Sequence, residues 1–147
     1  METYEEIKEF LDSRIGVEGG LTLERAALNQ SNQSVYERAD SYAESLGFRR
    51  LGKRWQKLDK ENAVLLLSRM LHKSLAYKIE LLPMKTARYV SEKFISQFDS
   101  WSSVCLSNGY IMEDTASWDS ITESTFEMAF VIMDEVFISL VCVEDED

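Results

Sequence analysis

The longest apolar stretch of the chain, Phe126 to Val143, carries three acids, Glu127, Asp134 and Glu135. A charge near the centre of a bilayer costs roughly 2.5–3.5 kcal/mol or more, which rules this stretch out as a membrane span. It must therefore be core. Thr125–Met133 and Val136–Val143 are dense in aromatic and β-branched residues, and the Asp134-Glu135 pair between them reads as the turn of a hairpin. One buried helix over Thr125–Val143 is the alternative, because periodicity alone does not assign short apolar runs.

The hairpin reading gains support upstream. Val104-Cys-Leu106 and Tyr110-Ile-Met112 flank Ser107-Asn-Gly109, and Asn-Gly is a strong hairpin-turn signal. Residues of about 103–143 thus read as strand-rich. The part before them, about 3–98, reads as helical. Thr3 and Glu6 have capping-box spacing, and Tyr4, Ile7, Leu11 and Ile15 recur at helical spacing up to Gly16. After Gly19-Gly20, Leu21–Leu46 reads as one helix, or two split at Asn29–Ser34, with Gly47 as the stop. A short basic strand fits Arg54–Leu58. Asp59 then caps a helix running to Leu82 through Val64, Leu67, Leu71, Leu75 and Ile79. Pro83 opens a further helix through Ala87, Val90, Phe94 and Phe98. The expectation is an α+β fold in which about four N-terminal helices pack on one side of a C-terminal antiparallel sheet of three to five strands.

A chain of 147 residues fits one domain, and a domain of this size buries roughly 70% of its unfolded surface, enough for a core without staples. Cys105 and Cys142 lie in apolar runs and read as buried free thiols, which suits a reducing cytoplasm. The start, Met1-Glu-Thr-Tyr-Glu-Glu, lacks the basic and apolar regions of a secretory signal.

Charge is unevenly placed. Residues 1–48 hold four basic and ten acidic side chains, net −6, whereas 49–93 hold twelve and four, net +8. Residues 94–147 have twelve acids and no Lys or Arg, net −12. The basic middle and the acidic end either neutralise each other through weak surface pairs or leave the acids for a partner.

Little points to catalysis. The single histidine, His72, lies in a helical run beside Lys73 and has no orienting acid, which is not a triad or a zinc set. Glycine-rich phosphate loops are absent, so no cofactor is expected. Paired acids such as Glu113-Asp114 do not form a calcium loop. The basic stretch Arg49, Arg50, Lys53, Arg54, Lys57 and Lys60, with Trp55 interleaved, has the composition of a nucleic-acid patch, but a net charge of −10 opposes approach to a polyanion. Trp101 reads as core. Trp118 sits among acids, either as a plug at the end of the core or as an aromatic anchor with a carboxylate rim.

The run Trp118-Asp-Ser-Ile-Thr-Glu-Ser-Thr-Phe126, leading to Val143-Glu-Asp-Glu-Asp147, gives the chain its distinctive acidic end. Small, acidic and without a catalytic set, the chain resembles the immunity proteins of bacterial toxin systems, including contact-dependent growth inhibition and other polymorphic toxins. The resemblance is one of class. It implies a non-enzymatic, cytoplasmic protein that binds a cognate toxin, such as a basic nuclease, and covers its active or substrate-binding site. The residues expected to bind are Glu113, Asp114, Trp118, Asp119 and Glu123, with Glu144, Asp145, Glu146 and Asp147 as a second cluster. The alternative is an adaptor or regulatory subunit that binds a basic protein partner and also uses the stretch from Arg49 to Lys60.

Overall fold

The computed structural model describes residues 1–16, 20–28, 32–113 and 115–146. In chain order its elements are α1 (Tyr4–Arg14), β1 (Leu21–Ala27), α2 (Val35–Ser45), a 3-10 turn at Gly52–Arg54, β2 (Gln56–Leu58), α3 (Lys60–His72) and α4 (Met84–Ile95). Then follow β3 (Val104–Ser107), β4 (Gly109–Ile111), β5 (Ala116–Trp118), β6 (Phe126–Met133) and β7 (Phe137–Asp145). Five strands form an antiparallel sheet in the order β1-β7-β6-β3-β2, and β4 pairs with β5 in a separate ribbon. The fold is α+β, as the sequence leads one to expect. No helix among the described residues is long and apolar enough to cross a membrane.

The hairpin over the longest apolar run is present, and the single-helix alternative is not. β6 and β7 pair from Phe126↔Asp145 to Met133↔Ile138. Asp134 builds the turn: its Oδ1 accepts from the N–H of Val136 and Phe137 at 2.8 Å each, and its Oδ2 from the N–H of Asp99 at 3.0 Å. Alternate residues of these strands face opposite cores. Met128, Phe130, Ile132, Val141 and Val143 pack under α1, α3 and α4. Ala129, Val131, Met133, Leu140 and Cys142 pack under α2 and Trp55. Helices thus cover both faces of the sheet, which corrects the one-sided arrangement. A hairpin apolar on both faces needs two covers, since burial of apolar area is worth roughly 25 cal/mol per Å².

Three further expectations change. Leu21–Ala27 is a strand, although Leu, Glu, Arg and Ala favour helix. Its residues pair with Phe137–Val143 of β7, from Leu21↔Val143 to Ala27↔Phe137, and so cover an apolar strand that would otherwise be a sheet edge. Asn29, Gln30 and Ser31, in the polar interruption expected there, lie outside the described residues. The helix expected to reach Leu82 stops at His72, and the apolar spacing beyond it is misleading, because Ile79 is 63% exposed. Ser74 competes for the backbone here. Its N–H donates to the Ile79 carbonyl, its hydroxyl accepts from the Ile79 N–H, and a Lys73↔Glu80 bridge closes the segment.

The third change concerns Asn108-Gly109. β3 and β4 do not pair with each other, because the Asn108 side chain is buried and used: its Oδ1 accepts from the Ala129 N–H at 2.7 Å, and its Nδ2 donates to the carbonyl of Asp119 and to Glu127. The chain leaves the main sheet at this residue. Gly109 is required by proximity, not by a turn, since a Cβ there would lie 2.0 Å from the Ser117 carbonyl oxygen across the ribbon.

Other local signals hold. The Thr3–Glu6 capping box is formed, Asp59 caps α3 by accepting from Asn62, and Gly47 ends α2 at a φ of +91°.

Candidate functional site

Glu127 and Asp40, like Asp134 in the hairpin turn, are consumed by the fold. Glu127 is fully buried and accepts from Asn108 Nδ2 at 3.0 Å, the N–H of Ile121 at 2.9 Å, the N–H of Thr122 at 3.0 Å and the Thr122 hydroxyl at 2.8 Å. It organises the segment between β5 and β6. Asp40 on α2 accepts from the N–H groups of Leu51 and Gly52 and from Trp55 Nε1 at 2.8 Å. Trp55 is consequently buried and has no exposed face on which a base could stack.

The remaining arginines of the basic stretch meet the chain's own acids. Arg49 pairs with Glu123, Arg50 with Glu44 at 3.1 Å, and Arg54 with Asp119 at 4.0 Å. Neutralisation of the acidic end by the basic middle therefore takes place at Asp119 and Glu123. Both pairs are exposed, and exposed pairs are worth about 0–1 kcal/mol each.

The carboxylates at the end of β7 are placed differently. Glu144 accepts from the Ser124 hydroxyl at 2.9 Å, and Asp145 from the N–H of Ala76 at 3.0 Å. Glu146 accepts from the hydroxyl and the N–H of Thr125, bonds that hold its carboxyl below the usual carboxylate range. None of the three makes an ion pair with a described residue. They are held by neutral donors, and the nearest cations across their cleft, Arg14 and Lys73, are not ion-paired with them. Asp147 and Asp114 lie outside the described residues.

Trp118 is half-buried at the edge of the larger core, with its ring 6.0 Å from that of Phe126. Phe126 lies opposite Asp145 in the β6–β7 register, which connects Trp118 to the acidic cluster. The exposed Glu113 and Trp118 border a cleft of about 670 Å³ whose other wall is Arg69, His72 and Lys73 at the end of α3. A smaller cleft of about 290 Å³ lies on the far side of residues 73–75, lined by Arg14, Glu80, Glu144 and Asp145. The segment 73–80 is the ridge between them, and on it Tyr77 is 62% exposed. The sequence reading missed this cleft. Its signal is the spacing Arg69-x-x-x-Lys73, two cations four residues apart at the C-terminal end of α3.

The Nδ1 of His72 lies 2.7 Å from the Leu82 carbonyl, to which it donates. Among the described residues no group of three or more His, Cys, Asp or Glu is placed to hold a metal ion. Cys105 and Cys142 are buried on opposite faces of the sheet; burial pushes the Cys105 thiol up to about 12 and the Cys142 thiol well above its ordinary value.

The expected core residue Trp101 is 95% exposed, in the turn between α4 and β3. The turn is closed by hydrogen bonds among Asp99, Ser102 and Ser103, and the core beneath is already filled by Phe94 and Phe98, whose rings meet edge to face at 5.8 Å.

Comparison of the chain with protein-family models, with curated proteins and with solved structures finds no match.

Proposed function

We propose that the chain is an immunity protein that acts in the cytoplasm by binding a basic protein toxin and covering its active or substrate-binding site with carboxylates. One observation carries the reading: Glu144, Asp145 and Glu146 are held in place by the Ser124 hydroxyl, the Ala76 N–H and the Thr125 donors, with no cation of the described residues paired to them. Fixed charge that is not tied up in ion pairs lowers the ordering cost of binding and steers encounter with a cationic surface. Glu113 and Trp118 extend this surface across the ridge at residues 73–75. Asp119 and Glu123 join it by exchanging their arginines for those of the partner, a swap of weak exposed pairs. A nuclease fits as the partner, since its substrate-binding site already selects anions.

The test uses the toxin domain encoded by the neighbouring upstream reading frame, where that frame specifies a large secreted protein with a variable C-terminal region. The triple variant Glu144→Gln, Asp145→Asn, Glu146→Gln keeps the side-chain size and one acceptor oxygen at each position and removes the charge. It should slow association with the toxin domain about tenfold or more at low ionic strength and flatten the salt dependence. Unchanged association kinetics in stopped-flow measurements would refute the electrostatic mechanism, and a toxin domain that is neither bound nor inhibited would refute the function.

A further inference from the structure

Trp101 belongs to no part of the surface described so far, yet it is 95% exposed and stands on a stiff turn. The Oδ2 of Asp99 accepts from the Ser102 N–H at 2.9 Å and the Ser102 hydroxyl at 2.7 Å, and the Ser103 N–H donates to the Asp99 carbonyl at 3.0 Å. This turn is in turn tied to the β6–β7 hairpin, because the N–H of Asp99 donates to Asp134 Oδ2 at 3.0 Å. The hairpin tip adds Glu135, which is exposed, and Val136, which is 57% exposed. Asp99 and Glu135 make no ion pair with a described residue. The bonds from Ser102 hold the Asp99 carboxyl below the usual carboxylate range, so it is ionised at neutral pH.

An indole kept in water loses the apolar burial that tryptophan ordinarily supplies to a fold, and here the turn is closed by its own hydrogen bonds, without the ring. The ring is thus left to an outside partner. Tryptophan is enriched among the residues that dominate interface energies, and a pre-ordered turn spares the cost of fixing it on binding. Its surroundings specify the chemistry. Cations stack on indole better than on any other side chain, arginine more often than lysine, and Asp99 and Glu135 supply carboxylates on the same tip that can bond a guanidinium.

We infer that the tip formed by residues 99–103 and 134–136 is a second docking surface, with Trp101 as an anchor that takes an arginine of a basic protein partner between its ring and the carboxylates of Asp99 and Glu135. This deepens the reading of the chain as a binder of a basic toxin and rests on it. The partner meets two separate acidic surfaces, one at the end of β7 and one at the opposite end of the β6–β7 hairpin.

A titration followed by nuclear magnetic resonance separates the two surfaces without the toxin. The probe is the blocked peptide acetyl-Gly-Arg-Gly-Arg-Gly-amide, with acetyl-Gly-Glu-Gly-Glu-Gly-amide as the control, added to the full chain at low ionic strength. The Trp101 indole N–H signal, assigned by its loss in Trp101→Phe, should shift with the arginine peptide and stay in place with the glutamate peptide. Affinity read at the Ser102 and Val136 amides should fall about threefold in Trp101→Ala, the size expected of an exposed cation–π contact, and again in the Asp99→Asn, Glu135→Gln variant. An unmoved indole signal, or equal shifts with both peptides, overturns the inference. The amides of Glu144, Asp145 and Glu146 report on the other surface in the same spectra: if they alone respond, the second docking surface falls and the function proposed above stands. If the tip alone responds, the inference stands and the β7 cluster loses its role.

Discussion

Glu127 shows how a single charge can be misread from composition. It counts toward the net charge of the acidic end, yet it is fully buried and its two oxygens accept from Asn108, Ile121 and Thr122. Nothing in its local sequence marks it, because its donors come from three separate positions that only the fold assembles. Replacing it with Gln keeps the size but turns an amide N–H₂ toward backbone donors. The Glu127→Gln variant should lose about 2–4 kcal/mol, since hydrogen bonds to a charged acceptor are strong and the orphaned donors remain buried. Urea denaturation reads this directly; a midpoint unchanged from the parent chain would mean that the segment 119–122 is held by other contacts. Trp101 and Trp55 make the converse point. Their neighbours in sequence made the first look like core and the second like a surface aromatic, and each is the opposite, because burial depends on which turn or acid meets the ring.

At the level of elements, the parts with a complete local code were legible: capped α1, the start of α3, α4 after Pro83, and the β6–β7 hairpin. The parts decided by a distant partner were not. β1 is a strand because β7 lies alongside it, and β4 departs from β3 because Asn108 bonds to Ala129 and Glu127. The acidic cluster was legible as charge, whereas the cleft beside Trp118 was not, because it needs the ribbon to stand against the end of α3. Asp134 belongs to this scale, since it holds the hairpin turn and the turn before β3 together. Partial burial pushes its carboxyl up, but the N–H groups of Phe137, Asp99 and Val136 outweigh this and hold it below the usual range. The native state therefore binds this proton less readily than the unfolded chain. The resulting stability is fully present above the unfolded value, near 3.9, and is lost as pH falls through the lower native value. Asp134→Asn should accordingly give a shallower acid limb below about pH 4 in thermal melts followed by circular dichroism, and an acid limb identical to that of the parent would contradict this account.

For the molecule as a whole, the sheet separates as well as joins. Cys105 faces the core under α1, α3 and α4, whereas Cys142 faces the one under α2, so no disulfide between them is compatible with the fold. Burial raises both thiols above their ordinary range, Cys105 to about 12. A thiol-specific reagent at pH 8 should leave both unmodified in the folded chain and react with both in urea, with the labelling rate following the unfolding transition. Rapid labelling of the folded chain would show that one core opens independently of the other.

The pairing of β1 with β7 also sets a schedule. Leu21 needs Val143 and Ala27 needs Phe137, so the second strand of this ladder leaves the ribosome long after the first. At the usual rate of synthesis of about 5–20 residues per second, β1 waits roughly 5–20 s for its neighbour. During that interval the apolar face of Leu21 and Leu23 has no sheet to join, and the carboxylates at the end of β7 do not yet exist. A nascent chain thus carries an unpaired apolar strand, open to misassociation, until β7 follows it out of the ribosome.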